Sequence, residues 1–106
     1  MALEILTTAN FDKRVTSGGG VVVVDVWATG SALCEQMAPI LDALSDEYTK
    51  KATWFKLDAD ENSGIVSKYS VSSIPTLLVF KGGALVHSIT DAKPKEILIE
   101  ELSKFF

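Results

Sequence analysis

A chain of 106 residues with 47% hydrophobic and 23% charged residues suits one compact globular domain. Its net charge of −4 argues against a nucleic-acid partner, and no apolar run approaches the roughly 18 residues a membrane span needs. With one cysteine and one histidine, no intramolecular disulfide forms, and those ligands are too few for a zinc site.

The elements alternate along the chain. Ala2–Leu6 (ALEIL) is short and apolar, a first strand. Asn10–Thr16 reads as a short helix, with Phe11 and Val15 four apart on its inner face, and Gly18–Gly20 ends it. Val21–Trp27 (VVVVDVW) begins with four consecutive β-branched residues, the pattern of a central parallel strand buried on both faces. A long helix follows from about Ala32 to Lys50. Met37, Ile40, Leu41, Leu44 and Tyr48 form its apolar stripe, and Pro39 predicts a kink. Thr53–Asp58 is a strand of mixed polarity, and Asp60–Tyr69 a short helix weakened by Gly64. Thr76–Lys81 and Ala84–Ile89 form an antiparallel hairpin around Gly82-Gly83. A last helix runs from about Pro94 to Phe105, with Ile97, Leu98, Leu102 and Phe105 inward. The order β α β α β α β β α predicts an α/β domain spanning residues 1–106: parallel strands with right-handed crossovers, then an antiparallel hairpin, with helices on both faces of a mixed sheet. MALEILTTAN lacks the basic and apolar regions of a secretory signal, so a cytoplasmic setting is expected.

Chemistry centres on WATGSALCEQMAP, Trp27 to Pro39. A thiolate near a helix N-terminus is stabilised by unpaired backbone N–H groups and the helix dipole. Ser31 takes the exposed first-turn position, and Cys34 lies one turn deeper. The plain reading of Cys34 is a small, half-buried apolar residue.

VVVVDVWA, four residues ending in cysteine, and MAPILD together resemble the active-site segment of the thioredoxin family. The resemblance continues through FKLDADEN (Phe55–Asn62), KYSVSSIPTLLVFKGG (Lys68–Gly83) and the terminal helix, covering essentially the whole chain. It implies a thioredoxin fold, a central mixed five-stranded sheet flanked by four helices, and a protein-disulfide oxidoreductase of cell redox homeostasis that needs no cofactor. Ser31-Ala32-Leu33-Cys34 falls on the family's C-G-P-C positions. Cys34 then matches the second, resolving cysteine. Asp25 matches the buried acid that assists proton transfer to it, and Lys56 that acid's partner. Trp27 matches the tryptophan packed beside the site. Pro75, in Ile74-Pro75-Thr76, matches the cis-proline, where the backbone pairs with an extended segment of a protein partner. A thioredoxin reductase is a further partner the resemblance implies.

The departures bear on activity. Ser31 replaces the attacking cysteine, and a serine hydroxyl is barely ionised near neutral pH and forms no disulfide. Gly30 replaces an exposed tryptophan, Ala32-Leu33 replaces Gly-Pro, and Asp91 brings bulk and charge where the family has a groove-flanking glycine. Four adjacent departures favour natural divergence over an engineered serine, because a designed change leaves its neighbours alone. A hydrolase built on Ser31 needs a base. The one histidine, His87, lies in the hairpin's second strand as a surface residue. Asp25 and Lys56 also read as an inherited structural pair, and Asp58, Asp60 and Glu61 as a solvated edge. Three functions therefore stand: a redox-degenerate protein-binding module with mixed-disulfide capacity at Cys34; an oxidoreductase, either one-thiol or a thioredoxin altered at Ser31; and an interaction module in which Cys34 never reacts.

Overall fold

The computed structural model describes residues 3–106, so Ala2 of the expected first strand lies outside it. The strands are β1 (Leu3–Leu6), β2 (Val21–Trp27), β3 (Thr53–Asp58), β4 (Thr76–Lys81) and β5 (Ala84–Thr90). The helices are α1 (Ala32–Glu47), α2 (Ser63–Lys68) and α3 (Lys95–Leu102), with a π-helical turn at Asp12–Thr16 and a 3-10 turn at Ser103–Phe105 that prolongs α3. One mixed sheet forms, in the order β1-β3-β2-β4-β5. The strands β1, β3 and β2 run parallel, while β4 and β5 join antiparallel. Among the described residues, no helix is long and apolar enough to cross a membrane.

The valine run makes β2 the middle strand, and Val21 to Val26 are all buried. It is parallel to β3 only, however, and antiparallel to β4. Burial on both faces reports a central position and not the direction of the neighbours. The strand period of two sorts the valines. Val21 and Val23 meet Met37, Leu41 and Leu44 of α1 and Leu98 and Leu102 of α3. Val22, Val24 and Val26 meet Phe11 and Val15 of the π-helical turn and Ile65 of α2. Asp25 and Trp27 share the parity of Val21 and Val23, so they project toward the α1 side.

Several helix boundaries differ from the sequence reading, among them the start of the first helical turn, at Asp12 and not Asn10. α1 stops at Glu47 and not near Lys50, because Tyr48 leaves helical geometry with its N–H bonded to Leu44 O and its own carbonyl accepts Trp54 Nε1–H at 3.2 Å. α2 starts at Ser63 and not at Asp60, because a turn occupies the preceding residues: Asp58 Oδ1 accepts the Asp60 N–H at 2.9 Å and Ala59 O accepts that of Asn62. In α3, Pro94 is the residue before the helix, and Ile97 is 40% exposed; Leu98, Ile99 and Leu102 form the inner face. Pro39 stays inside α1, leaving Glu35 O without an amide donor four residues on. The hairpin turn uses φ of +61° at Gly82 and +84° at Gly83. A Cβ at Gly83 would lie 2.2 Å from Thr16 O, so the hairpin packs tightly on the end of the π-helical turn.

Candidate functional site

The loop from β2 to α1 leaves the sheet at Trp27 and turns through Gly30, whose φ of +83° is the left-handed region open to glycine. Ser31 then enters extended backbone (φ −84°, ψ 117°) and becomes the N-cap of α1. Its Oγ accepts the Cys34 backbone N–H at 3.3 Å, satisfying one of the orphan amides at the helix start. The sequence reading put Ser31 in the first turn and missed this cap. The signal was present: a serine immediately before an apolar-periodic run. Ala32 and Leu33 are exposed, Leu33 by 43%. Cys34, one turn in, is buried at 8% exposure.

Beneath the helix start lies Asp25, only 9% exposed. Among the described residues, its Oδ1 has no hydrogen-bond partner. Burial pushes its carboxyl up to about 7, and the Lys56 ammonium pulls the other way. Lys56 stands opposite Asp25 in the β2–β3 ladder, so both side chains leave the same face of the sheet. Among the described residues, no direct ion pair joins them. The Lys56 ammonium sits 6.0 Å from the centroid of the Trp27 ring, within cation–π reach. Asp25, Trp27, Cys34 and Lys56 line one open cavity of about 300 Å³, with Ala38 and Asp42 of α1 on its wall. The sequence reading did not include Glu35, Ala38 or Asp42, although the spacing 34, 38, 42 puts the last two on one helix face with the thiol.

The other half of the expected site is a loop pair. The Ile74–Pro75 bond is cis, Pro75 is buried and Ile74 half-buried. Thr76 Oγ1 donates to Ser73 O at 2.7 Å, which pins the approach to the strand. In the β2–β4 ladder Val26 stands opposite Thr76, so Pro75 lies at the same end of the sheet as Trp27. Asp91 takes φ +67°, a conformation costly for most L residues, with asparagine and aspartate the usual exceptions. Its N–H donates to Pro75 O at 3.1 Å. The fold therefore joins Pro75 to Asp91, and joins Asp25, Trp27, Cys34 and Lys56 around the cavity. Ile74, Pro75 and Asp91 are not among the residues lining that cavity.

His87 belongs elsewhere. It pairs with Val79 in the hairpin; its Nε2 is 3.2 Å from Glu101 Oε1, and its ring lies 5.4 Å from that of Phe105. His87 therefore faces Glu101 and Phe105 and does not serve Ser31 as a base. Among the described residues, no group of three or more His, Cys, Asp or Glu side chains is placed to hold a metal ion. Of the acidic edge, Asp58 orders the turn before α2. Its carbonyl accepts the buried Asn62 Nδ2–H at 2.9 Å, while Asn62 Oδ1 accepts both the N–H and the hydroxyl of Thr8.

Comparison with known proteins agrees with this architecture. The Thioredoxin family model matches residues 2–104. Thioredoxins of Staphylococcus aureus strains MW2, N315 and COL are each 47% identical to this chain over 104 residues, which is 98% of the chain and 98% of each relative. On the match over nearly its whole length and on its mixed five-stranded sheet, the chain belongs to the thioredoxin family.

Proposed function

We propose that this chain is a redox-degenerate thioredoxin that binds extended protein segments and carries a mixed disulfide at Cys34, without a dithiol cycle of its own. The carrying observation is Ser31. At the position of the family's attacking cysteine stands an oxygen that caps α1 by accepting the Cys34 N–H. With one thiol in the chain, attack on a target disulfide followed by intramolecular resolution has neither its first nucleophile nor its internal disulfide. Trp27, Ile74 and Pro75 stand at the positions that in the family edge the partner groove, and the backbone beside Pro75 is the element this reading assigns to strand addition. A cytoplasmic setting and a thioredoxin reductase among the partners belong to this reading by family likeness.

A second reading, a one-thiol oxidoreductase, is favoured by one observation. Cys34 shares its cavity with a buried, unpartnered Asp25 carboxyl that titrates about neutral pH, a suitable acceptor for the thiol proton. Reduction of a model protein disulfide by excess small dithiol separates the two. The degenerate reading expects no acceleration by the native chain and acceleration by Ser31→Cys. Acceleration by the native chain that disappears in Cys34→Ser establishes the one-thiol enzyme instead.

A further inference from the structure

The side from which Cys34 is reached follows from what surrounds it. The thiol is buried, and the space it borders is the cavity toward Asp25 and Lys56. Ile74, Pro75 and Asp91 take no part in the lining. A cavity of about 300 Å³ accommodates a small molecule but not a folded protein's disulfide loop. Its charge is uneven: Asp25, Glu35 and Asp42 present carboxyl groups against the single ammonium of Lys56, which is drawn over the Trp27 ring. Glu35, Ala38 and Asp42 follow one face of α1, with the small Ala38 keeping the wall low between the thiol and Asp42. Asp25 is nine-tenths buried and faces this space with an oxygen that no described group satisfies. A buried polar atom of this kind is ordinarily satisfied by ordered water or by a polar group of a ligand.

We propose that the cavity beside Cys34 is a binding site for small cationic disulfides of the aminoalkyl class, which form a mixed disulfide with Cys34 from the Asp25 side. This rests on the mixed-disulfide reading above and names its substrate. The ammonium group of the ligand faces Glu35 and Asp42. Cys34 loses its proton to the Asp25 carboxylate or to solvent. The thiolate then attacks one sulfur of the disulfide, the S–S bond breaks, and a Cys34–S–S–alkylammonium bond forms. The second half leaves as an aminoalkyl thiolate and takes up a proton. Cys34 is oxidised and the leaving sulfur reduced, with no other electron carrier, and an external thiol reverses the exchange.

Adduct formation on the folded native chain, followed by mass spectrometry at neutral pH and low salt, tests this with three probes: cystamine, neutral hydroxyethyl disulfide and anionic dithiodiglycolate. Each rate is divided by that of the same probe with N-acetylcysteine amide, which removes the intrinsic reactivity of the disulfide. The expected result is one adduct per chain, absent in Cys34→Ser, with cystamine favoured over the neutral probe by about three- to tenfold, the range of a few weak charge contacts, and dithiodiglycolate slowest. The double variant Glu35→Gln/Asp42→Asn removes the preference, and Ala38→Met slows all three probes. Glu35 and Ala38 are exposed and Asp42 is half-buried, and circular dichroism checks the fold. Equal normalised rates overturn the cationic site while leaving the mixed-disulfide reading intact. Undiminished labelling of Ala38→Met overturns the cavity route. No adduct from any probe until the chain is unfolded overturns both.

Discussion

The Ser31 side chain and the Cys34 backbone are joined by a 3.3 Å hydrogen bond. Ser31 thus caps the N-terminal end of the helix that carries the chain's one thiol. This arrangement assigns Ser31 a stabilising task separate from any redox role. Ser31→Ala is expected to lose about 1 kcal/mol of unfolding free energy, and Ser31→Gly only a few tenths. Urea denaturation of the three proteins measures the difference. Equal stability of Ser31→Ala and the native chain would show that the cap contributes nothing.

Asp25 makes stability depend on pH in a stated direction. Its carboxyl rises from 3.8 to about 7 on folding, so between those values the folded chain holds a proton that the unfolded chain has released. The stability tied to the protonated carboxyl is full below about 3.8 and is lost as pH rises through about 7. At complete ionisation the loss is on the order of a few kcal/mol. Asp25→Asn, which stays neutral, gains relative to the native chain as pH rises from 5.5 to 8.5. Denaturation midpoints at those two pH values check it; parallel changes in both proteins would refute the burial effect.

Lys56 opposes that shift. Without its ammonium, only burial acts on Asp25, so Lys56→Met moves the carboxyl's titration midpoint upward. Carbon NMR of the Asp25 carboxyl across pH reads the midpoint directly. A downward movement would mean that Lys56 does not act on Asp25 as a charge.

Asp91 occupies left-handed backbone at φ +67° while its N–H holds Pro75 O. Asp91→Ala keeps the amide but adds the penalty of a residue poorly suited to that region, a loss of about 1 kcal/mol. Asp91→Gly removes the penalty and enlarges the unfolded ensemble, so the two effects nearly cancel, within about 0.5 kcal/mol. Thermal unfolding of both variants distinguishes this from a purely electrostatic role, which would affect them equally.

Asn62 ties the loop after β1 to the turn after β3 through bonds to Thr8 and Asp58. Asn62→Ala leaves the Thr8 N–H without its acceptor and is expected to cost about 2 kcal/mol. Hydrogen exchange of the Thr8 amide should accelerate with it. An unchanged rate would show that solvent already competes for that amide.

The chain itself determined the local elements and the family. The valine run of β2, the apolar stripe of α1 and the Gly82-Gly83 turn depend on spacing between near neighbours, and spacing is written in the sequence. The segments around Trp27, Lys56 and Pro75 made the thioredoxin resemblance legible, and with it the mixed sheet. Where spacing met competing interactions it fell short. Ile97 fits the helical period, yet α3 turns Ile99 inward. Asp60 and Glu61 fit a helix start, yet the Asp58 side chain and Asn62 hold a turn. Only the tertiary structure decided which distant residues meet. The ladder sets Lys56 opposite Asp25 without closing an ion pair, and burial outweighs the ammonium at that carboxyl. The packing of α1 over β2 places the Cys34 thiol at a cavity lined also by Asp25, Trp27 and Lys56. Desolvation and access are properties of everything packed around a group, so neither can be read from the residues beside it in the chain.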